Sequence, residues 1–261
     1  MQLFEQNQYV YRTGLAWTAA QIDEGIRSFM LGVYNYMVLG LGISALVALG
    51  VNMAATTTDS ASTAGQVGGI TLTVFGHLLY GTPLMWIVAV APLAFTFIFS
   101  FQLDRMSAAS ARITFFAFAA LMGASLSTLL LRYTGASVVQ VFLITAASFG
   151  SLSVWGYTTK RSLSALDTFL MMGLIGLVIA MLVNIFLEAS VLQVAISGIG
   201  VLIFASLSAY GTQKLKDIYF MGGLDAEAAA KVSIFGALTL YLDFINMFQF
   251  LLSLAGGKRS E

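Results

Sequence analysis

Apolar residues run along this chain in long blocks, and seven of the blocks have the length of a membrane span. They cover residues 29–51, 83–103, 113–131, 138–157, 169–187, 191–210 and 232–254. At 1.5 Å per residue each comes close to the roughly 30 Å of a bilayer's hydrocarbon core. Lipid offers no partner to a backbone N–H or C=O, so such runs must be helical. The pattern predicts an all-α polytopic membrane protein with a seven-helix transmembrane domain over 29–254. Residues 1–28 form an N-terminal segment and 255–261 a short C-terminal tail. The segment mixes aromatics with charge (Tyr9, Arg12, Trp17, Asp23, Glu24, Arg27), as either an interfacial amphipathic stretch or a mobile tail would. Asp23 and Glu24 precede an apolar run too long for a signal peptide, so the first span should stay attached.

Only one connection is long, residues 52–82, and its second half, ITLTVFGHLLYG, is apolar enough to lie on the membrane or to extend the second helix. His77 falls there and reads as interfacial rather than catalytic. Pro83 sits where a helix would start, and Pro92 inside the second run predicts a kink. Ala119, Gly123 and Ser127, four apart on the third span, run parallel to Ala120, Ala124 and Thr128, which predicts close packing on both sides of that helix.

Composition agrees: 59% of residues are hydrophobic and 9% charged, against about 25% charged in a soluble domain. Twelve basic and twelve acidic residues cancel, so no basic surface exists for nucleic acid. With no cysteine there is neither a disulfide framework nor a thiolate site. Orientation follows the basic residues. A cytoplasmic N-terminus puts Arg12, Arg27, Arg105, Arg112, Lys160, Arg161, Lys214, Lys216 and Lys231 inside, and only Arg132, Lys258 and Arg259 outside. The tail GGKRSE dissents; a re-entrant last segment would return Lys258 and Arg259 to the inner side.

The run 232–254 holds one ionisable side chain, Asp243, twelfth of its 23 residues. A carboxyl group at the midplane costs about 2.5–3.5 kcal/mol on insertion scales, so it normally faces a bundle interior or a wet cavity. Asn246, three residues on, shares its face about 60° round the helix. The plain alternative is that the pair only hydrogen-bonds neighbouring helices, a task a neutral residue performs at lower cost. Candidate polar neighbours are Asn184 in the fifth span, Gln193 in the sixth and Gln213 at its inner end. Other chemistries fail on their parts. No lysine lies within a span for a Schiff base, and no histidine lies within one to activate the serines of GASLS (123–127). One histidine cannot build a zinc site. The residues therefore point away from an enzyme, and no cofactor is expected. A proton- or cation-responsive carboxylate needs only Asp243 in a dry setting, because burial disfavours the charged form.

Four strings carry a resemblance: IDEGIRSFMLGVYNYMVLG (22–40), WGYTTKRSLS (155–164), YGTQKLKD (210–217) and LTLYLDFINMFQFLL (238–252). Together they resemble the Bax inhibitor-1, or transmembrane Bax inhibitor motif, family, and the first two its bacterial branch. The likeness extends over about residues 22–254. It implies a last helix at the centre of the other six, an inner-membrane location and a pH-sensitive calcium leak. In that family the implied sensor is a pair of aspartates, one central in the seventh span and one at the inner end of the sixth. Asp243 matches the former. The latter belongs to a Tyr-Asp-Thr-Gln pattern, where this chain has Tyr210, Gly211, Thr212 and Gln213. The acidic residue some relatives carry in the second span is also missing, its neighbourhood being Leu93, Ala94 and Phe95.

The substitution at 211 matters, because two close carboxylates share a proton and titrate as a pair, whereas one titrates alone. Calcium takes six to eight oxygens, so with Asp243 as its one acidic ligand it would need carbonyls near Gly211 and the amide oxygens of Asn246 and Gln213. The expectation is a passive pH-gated leak of calcium, with Asp243 the gate, Asn246 its hydrogen-bonding neighbour, and Arg105 or Lys214 a latch partner. The alternative is a non-conducting regulator that binds other membrane proteins, such as a membrane protease. The lipid bilayer is the one partner common to both readings.

Overall fold

A computed structural model describes residues 19–58, 63–67, 69–102, 106–222, 225–257 and 259. Residues 1–18, Asp59, Arg105 and Lys258 lie outside the described residues. The described elements, in order, are α1 (Ala19–Ala55), β1 (Gly65–Val67), β2 (Ile70–Leu72), α2 (Val74–Tyr80), α3 (Leu84–Gln102), α4 (Ala108–Leu126), α5 (Leu129–Arg132), α6 (Gly135–Thr158), α7 (Ala165–Leu187), α8 (Ser190–Gly222) and α9 (Ala226–Ala255). Six spans are long and apolar enough to cross a membrane: α1, α4 extended through α5, and α6 to α9. Those six are the spans among the described residues; α2 and α3, which meet at a 69° bend, make a seventh if the pair is taken as one broken span. Pro83 stands at the break, directly before α3, where it has no helical N–H to lose. Pro92 lies within α3.

The apolar half of the long connection becomes β2 and α2, which fold back over the end of α1. The two short strands pair antiparallel, with Gly69 at φ 73° in their turn. Ala55, Leu72, Leu79, Tyr80 and Leu131 form a small core beneath them, and His77 faces outward.

The last helix is central. Of its most apolar stretch 56% is buried, against 11% for α7. It packs chiefly on four helices, α1, α4, α6 and α8. The expected ring of six therefore divides into an inner four and an outer pair, α3 lying on α4 and α7 on α8. The inner helices approach closely enough to leave α3 and α7 the outer positions. A Cβ on Gly123 of α4 would lie 2.5 Å from the Ser44 carbonyl oxygen of α1, and one on Gly156 of α6 2.3 Å from that of Ala209 in α8. Such backbone approach is what small residues permit between membrane helices. On α4 the row Ala119, Gly123, Ser127 is buried, while Ala120, Ala124 and Thr128 are half-buried.

Three helices overrun their apolar blocks at one end. α1 begins at Ala19, α8 runs on to Gly222, and α9 starts at Ala226. Phe29 stacks on Tyr219 with centroids 4.9 Å apart, and Glu227 Oε1 accepts from Ala108 N at 2.7 Å. This end carries Arg27, Arg112, Lys160, Arg161, Lys214, Lys216 and Lys231 and is called the basic end below. At the opposite end α9 finishes against the start of α6. Thr134 N donates to Gly257 O at 3.1 Å, Gly257 N to Ser137 Oγ at 2.8 Å, and Arg259 N to Arg132 O at 3.0 Å. An unbroken helix of 30 residues is about 45 Å long. α9 is one unbroken helix, not the broken one a re-entrant last segment needs; it is long enough to cross a membrane, and Arg259 sits with Arg132.

Candidate functional site around Asp243

α9 starts under a side-chain cap, Asp225 accepting from Ala228 N at 2.7 Å. From there its regular turns carry Asp243 into the middle of the bundle. Asp243 is 6% exposed, and among the described residues its buried Oδ2 has no hydrogen-bond partner. The residue facing it is Gly211 of α8. A Cβ built there would lie 3.8 Å from Asp243 Oδ2 and 3.4 Å from Leu240 Cδ2, both ordinary contact distances. Positions 211 and 243 are therefore opposed across the α8–α9 contact, and glycine leaves the carboxyl facing no side chain from that position.

The expected neighbours are placed differently. Asn246 does not bond Asp243. Its Nδ2 donates to Leu242 O at 2.8 Å, because a short amide on a helix reaches the carbonyl one turn back more easily than a side chain 60° round. Gln213 points away from Asp243 and clamps the turn between α6 and α7. Its Oε1 accepts from Leu163 N at 2.7 Å and its Nε2 donates to Arg161 O at 2.9 Å. Lys214 is exposed, with its ammonium 5.5 Å from the centre of the Tyr210 ring, so it does not serve as a latch on Asp243. Arg105, the other latch candidate, lies outside the described residues. Asn184 belongs to the opposite end, where it donates to Gln193 Oε1 at 3.0 Å and accepts from Ala189 N at 3.2 Å. There it secures the α7–α8 turn, in which Glu188 takes a left-handed conformation (φ 48°).

Two polar contacts that flank the site were absent from the sequence reading. Tyr34 OH lies 3.3 Å from Thr212 Oγ1, next to Gly211. Tyr241 OH lies 2.6 Å from Ser44 Oγ, which also reaches Ala119 O at 2.7 Å. Thr212 stands inside the string YGTQKLKD and could have been singled out there; nothing in the sequence marks Ser44. Among the described residues no three His, Cys, Asp or Glu side chains come together to hold a metal ion. Chemically the site is one buried carboxyl at the α8–α9 contact.

Residues 26–260 match the family model described as "Inhibitor of apoptosis-promoting Bax1". The chain belongs to the Bax inhibitor-1 family. Among its relatives is an uncharacterized protein of Caulobacter vibrioides, 45% identical over 239 residues, which are 91% of this chain and 92% of that one. Another is RP147 of Rickettsia prowazekii, 44% identical over 237 residues, 91% and 92% of the two chains. The inner membrane protein YbhL of Escherichia coli is 38% identical over 237 residues, 90% and 94%. The family match and the six long apolar helices among the described residues together make this a multi-pass membrane protein of the Bax inhibitor-1 family.

Proposed function

We propose that this Bax inhibitor-1 family protein is a passive, pH-gated cation leak of the cell inner membrane, with calcium as its ion and Asp243 as its gate. The single observation that supports this most is the buried Asp243 Oδ2 with no partner, on the central helix and opposite Gly211. An ionised carboxylate cannot remain in such a place uncompensated. Either a proton stays on it, or a cation and water must reach it. In the closed packing described here the proton supplies the neutrality. Loss of the proton favours separation of α8 from α9 around Gly211, which offers the carboxylate no side-chain partner. The leak therefore rises with pH. The basic end is cytoplasmic in this reading, in keeping with the excess of Lys and Arg there.

The test is calcium flux into proteoliposomes over a range of pH, for wild type, Asp243→Asn and Gly211→Asp. Expected are a flux that rises with pH in wild type, a low flat profile in Asp243→Asn, and a two-step profile in Gly211→Asp from a coupled carboxyl pair. An unchanged pH response in Asp243→Asn sinks the gate. Flux seen only in Gly211→Asp means that this chain keeps the fold without the activity. No flux in any of them moves the assignment to a regulator of other membrane proteins.

A further inference from the structure

α1 and α6 flank α9 on neighbouring sides, and between them runs a groove of about 880 Å³. Its walls are apolar side chains of the two helices, and Phe244 of α9 forms its floor. On α1 the groove extends from Arg27 to Ala45, about 27 Å at 1.5 Å per residue. It is a slot along the membrane normal, long enough for an extended acyl chain. Two glycines on its facing walls, Gly42 and Gly150, have no atom within 4 Å of where a Cβ would stand. Gly50, Gly135, Gly176 and Gly198 also border open space, but of these glycines only Gly42 and Gly150 line the groove.

The polar groups of the groove gather at the basic end. Ser153 of α6 is 3% exposed, and its Oγ has no hydrogen-bond partner. Thr145, Ser151 and Thr158 of the same helix return their hydroxyls to the carbonyl four residues back. Ser153 does not, and its unpaired hydroxyl lies buried in the wall of the groove. Nearer the mouth stands Arg27, exposed and without a hydrogen-bond or ion-pair partner among the described residues. Lys216 of α8 donates to Tyr157 O at 3.1 Å, and Tyr157 also lines the groove.

An apolar slot open to a bilayer, a free hydroxyl one level in and an unpaired guanidinium at the mouth match one ligand from end to end. We infer that the α1–α6 groove binds an anionic glycerophospholipid of the leaflet at the basic end. One acyl chain fills the slot over Phe244, the ester carbonyl accepts from Ser153 Oγ, and the phosphate pairs with Arg27, with Lys216 adding to the positive field. Basic pockets between membrane helices are where anionic headgroups are recognised, and arginine suits a phosphate through its paired donors. A partner helix would cover the apolar walls equally well, but it would leave the Arg27 charge and the Ser153 hydroxyl unexplained. This inference does not depend on the leak: it concerns a different face of α9.

Native mass spectrometry of the delipidated protein in detergent, with phosphatidylglycerol or phosphatidylcholine added, tests it. Wild type should retain one phosphatidylglycerol at least five-fold better than phosphatidylcholine. Gly150→Phe, which fills the slot, should lose both lipids by about ten-fold. Gly42→Phe does the same from the opposite wall and serves where Gly150→Phe fails to fold. Arg27→Gln should keep lipid binding and lose the preference for phosphatidylglycerol. Equal retention in wild type and both filled variants would overturn the site. A headgroup preference that survives Arg27→Gln would overturn its polar half. A second copy of the chain displacing the lipid would make the groove a subunit contact instead.

Discussion

Two polar side chains stand two residues apart on α9, both buried, and the structure completes only one of them. Tyr241 faces α1 and α4. Its hydroxyl meets Ser44 Oγ at 2.6 Å, Ser44 reaches Ala119 O, and the ring takes edge contacts from Phe115 and Phe118 at 5.9 Å each. Asp243 faces α8, and its Oδ2 finds no donor. Depth in the membrane is nearly the same, so burial alone does not distinguish them. A buried polar group with its bonds made fixes a core, while one left short keeps a deficit that a proton or ion can relieve. The α1–α4 side of α9 is built as core, and the α8 side is the place to look for change.

The strongest way to break that contrast is to spoil the completed side. Gly123→Val would put a side chain where a Cβ already falls 2.5 Å from the Ser44 carbonyl oxygen and 2.8 Å from its Cα. Backbone cannot swing aside as a flexible side chain can, so α1 and α4 must part. Overpacking costs about 1–3 kcal/mol, and a backbone clash belongs at the upper end. Thermal unfolding in detergent should show the loss, and wild-type stability would mean that the two helices are not in close contact.

Tyr241→Phe is a smaller and sharper change. It removes one hydroxyl, while Ser44 Oγ keeps the carbonyl oxygens of Gly40 and Ala119 as acceptors. The expected cost is about 1 kcal/mol, the net worth of one buried hydrogen bond. The pH profile of calcium flux should not move. A shifted profile would show that the two sides of α9 titrate together and would dissolve the distinction.

How much of this could be read in advance depended on what each feature offers to a sequence. The spans were legible because a bilayer demands an apolar run of fixed length. The helix ends were not, since hydropathy stops at the membrane surface while a helix stops where its backbone is capped. α9 accordingly begins at the Asp225 cap, six residues before its apolar block. Asp243 stood out as the only ionisable residue in its run, but that Gly211 opposes it came through family likeness alone. Asn246 was expected to hydrogen-bond Asp243, but its own helix supplies a nearer acceptor. The groove could not be read at all: Gly42 and Gly150 look like packing glycines until the space beside them is seen.

Asp243→Asn should change stability least, and the comparison rests on that. The substitution keeps the shape and replaces a titratable group by an amide. Removing one partner of a buried ion pair costs about 3–5 kcal/mol, because the other charge is stranded. Among the described residues Oδ2 has no partner to strand, so stability should stay within about 1 kcal/mol of wild type, by the same detergent unfolding measurement. Tyr241→Phe, the milder edit on paper, should then be at least as destabilising. A loss of several kcal/mol in Asp243→Asn would mean that the carboxyl is held by a group on one of the helices around it, and its role would be that of Tyr241: another completed bond in the core, with nothing left over to sense a proton.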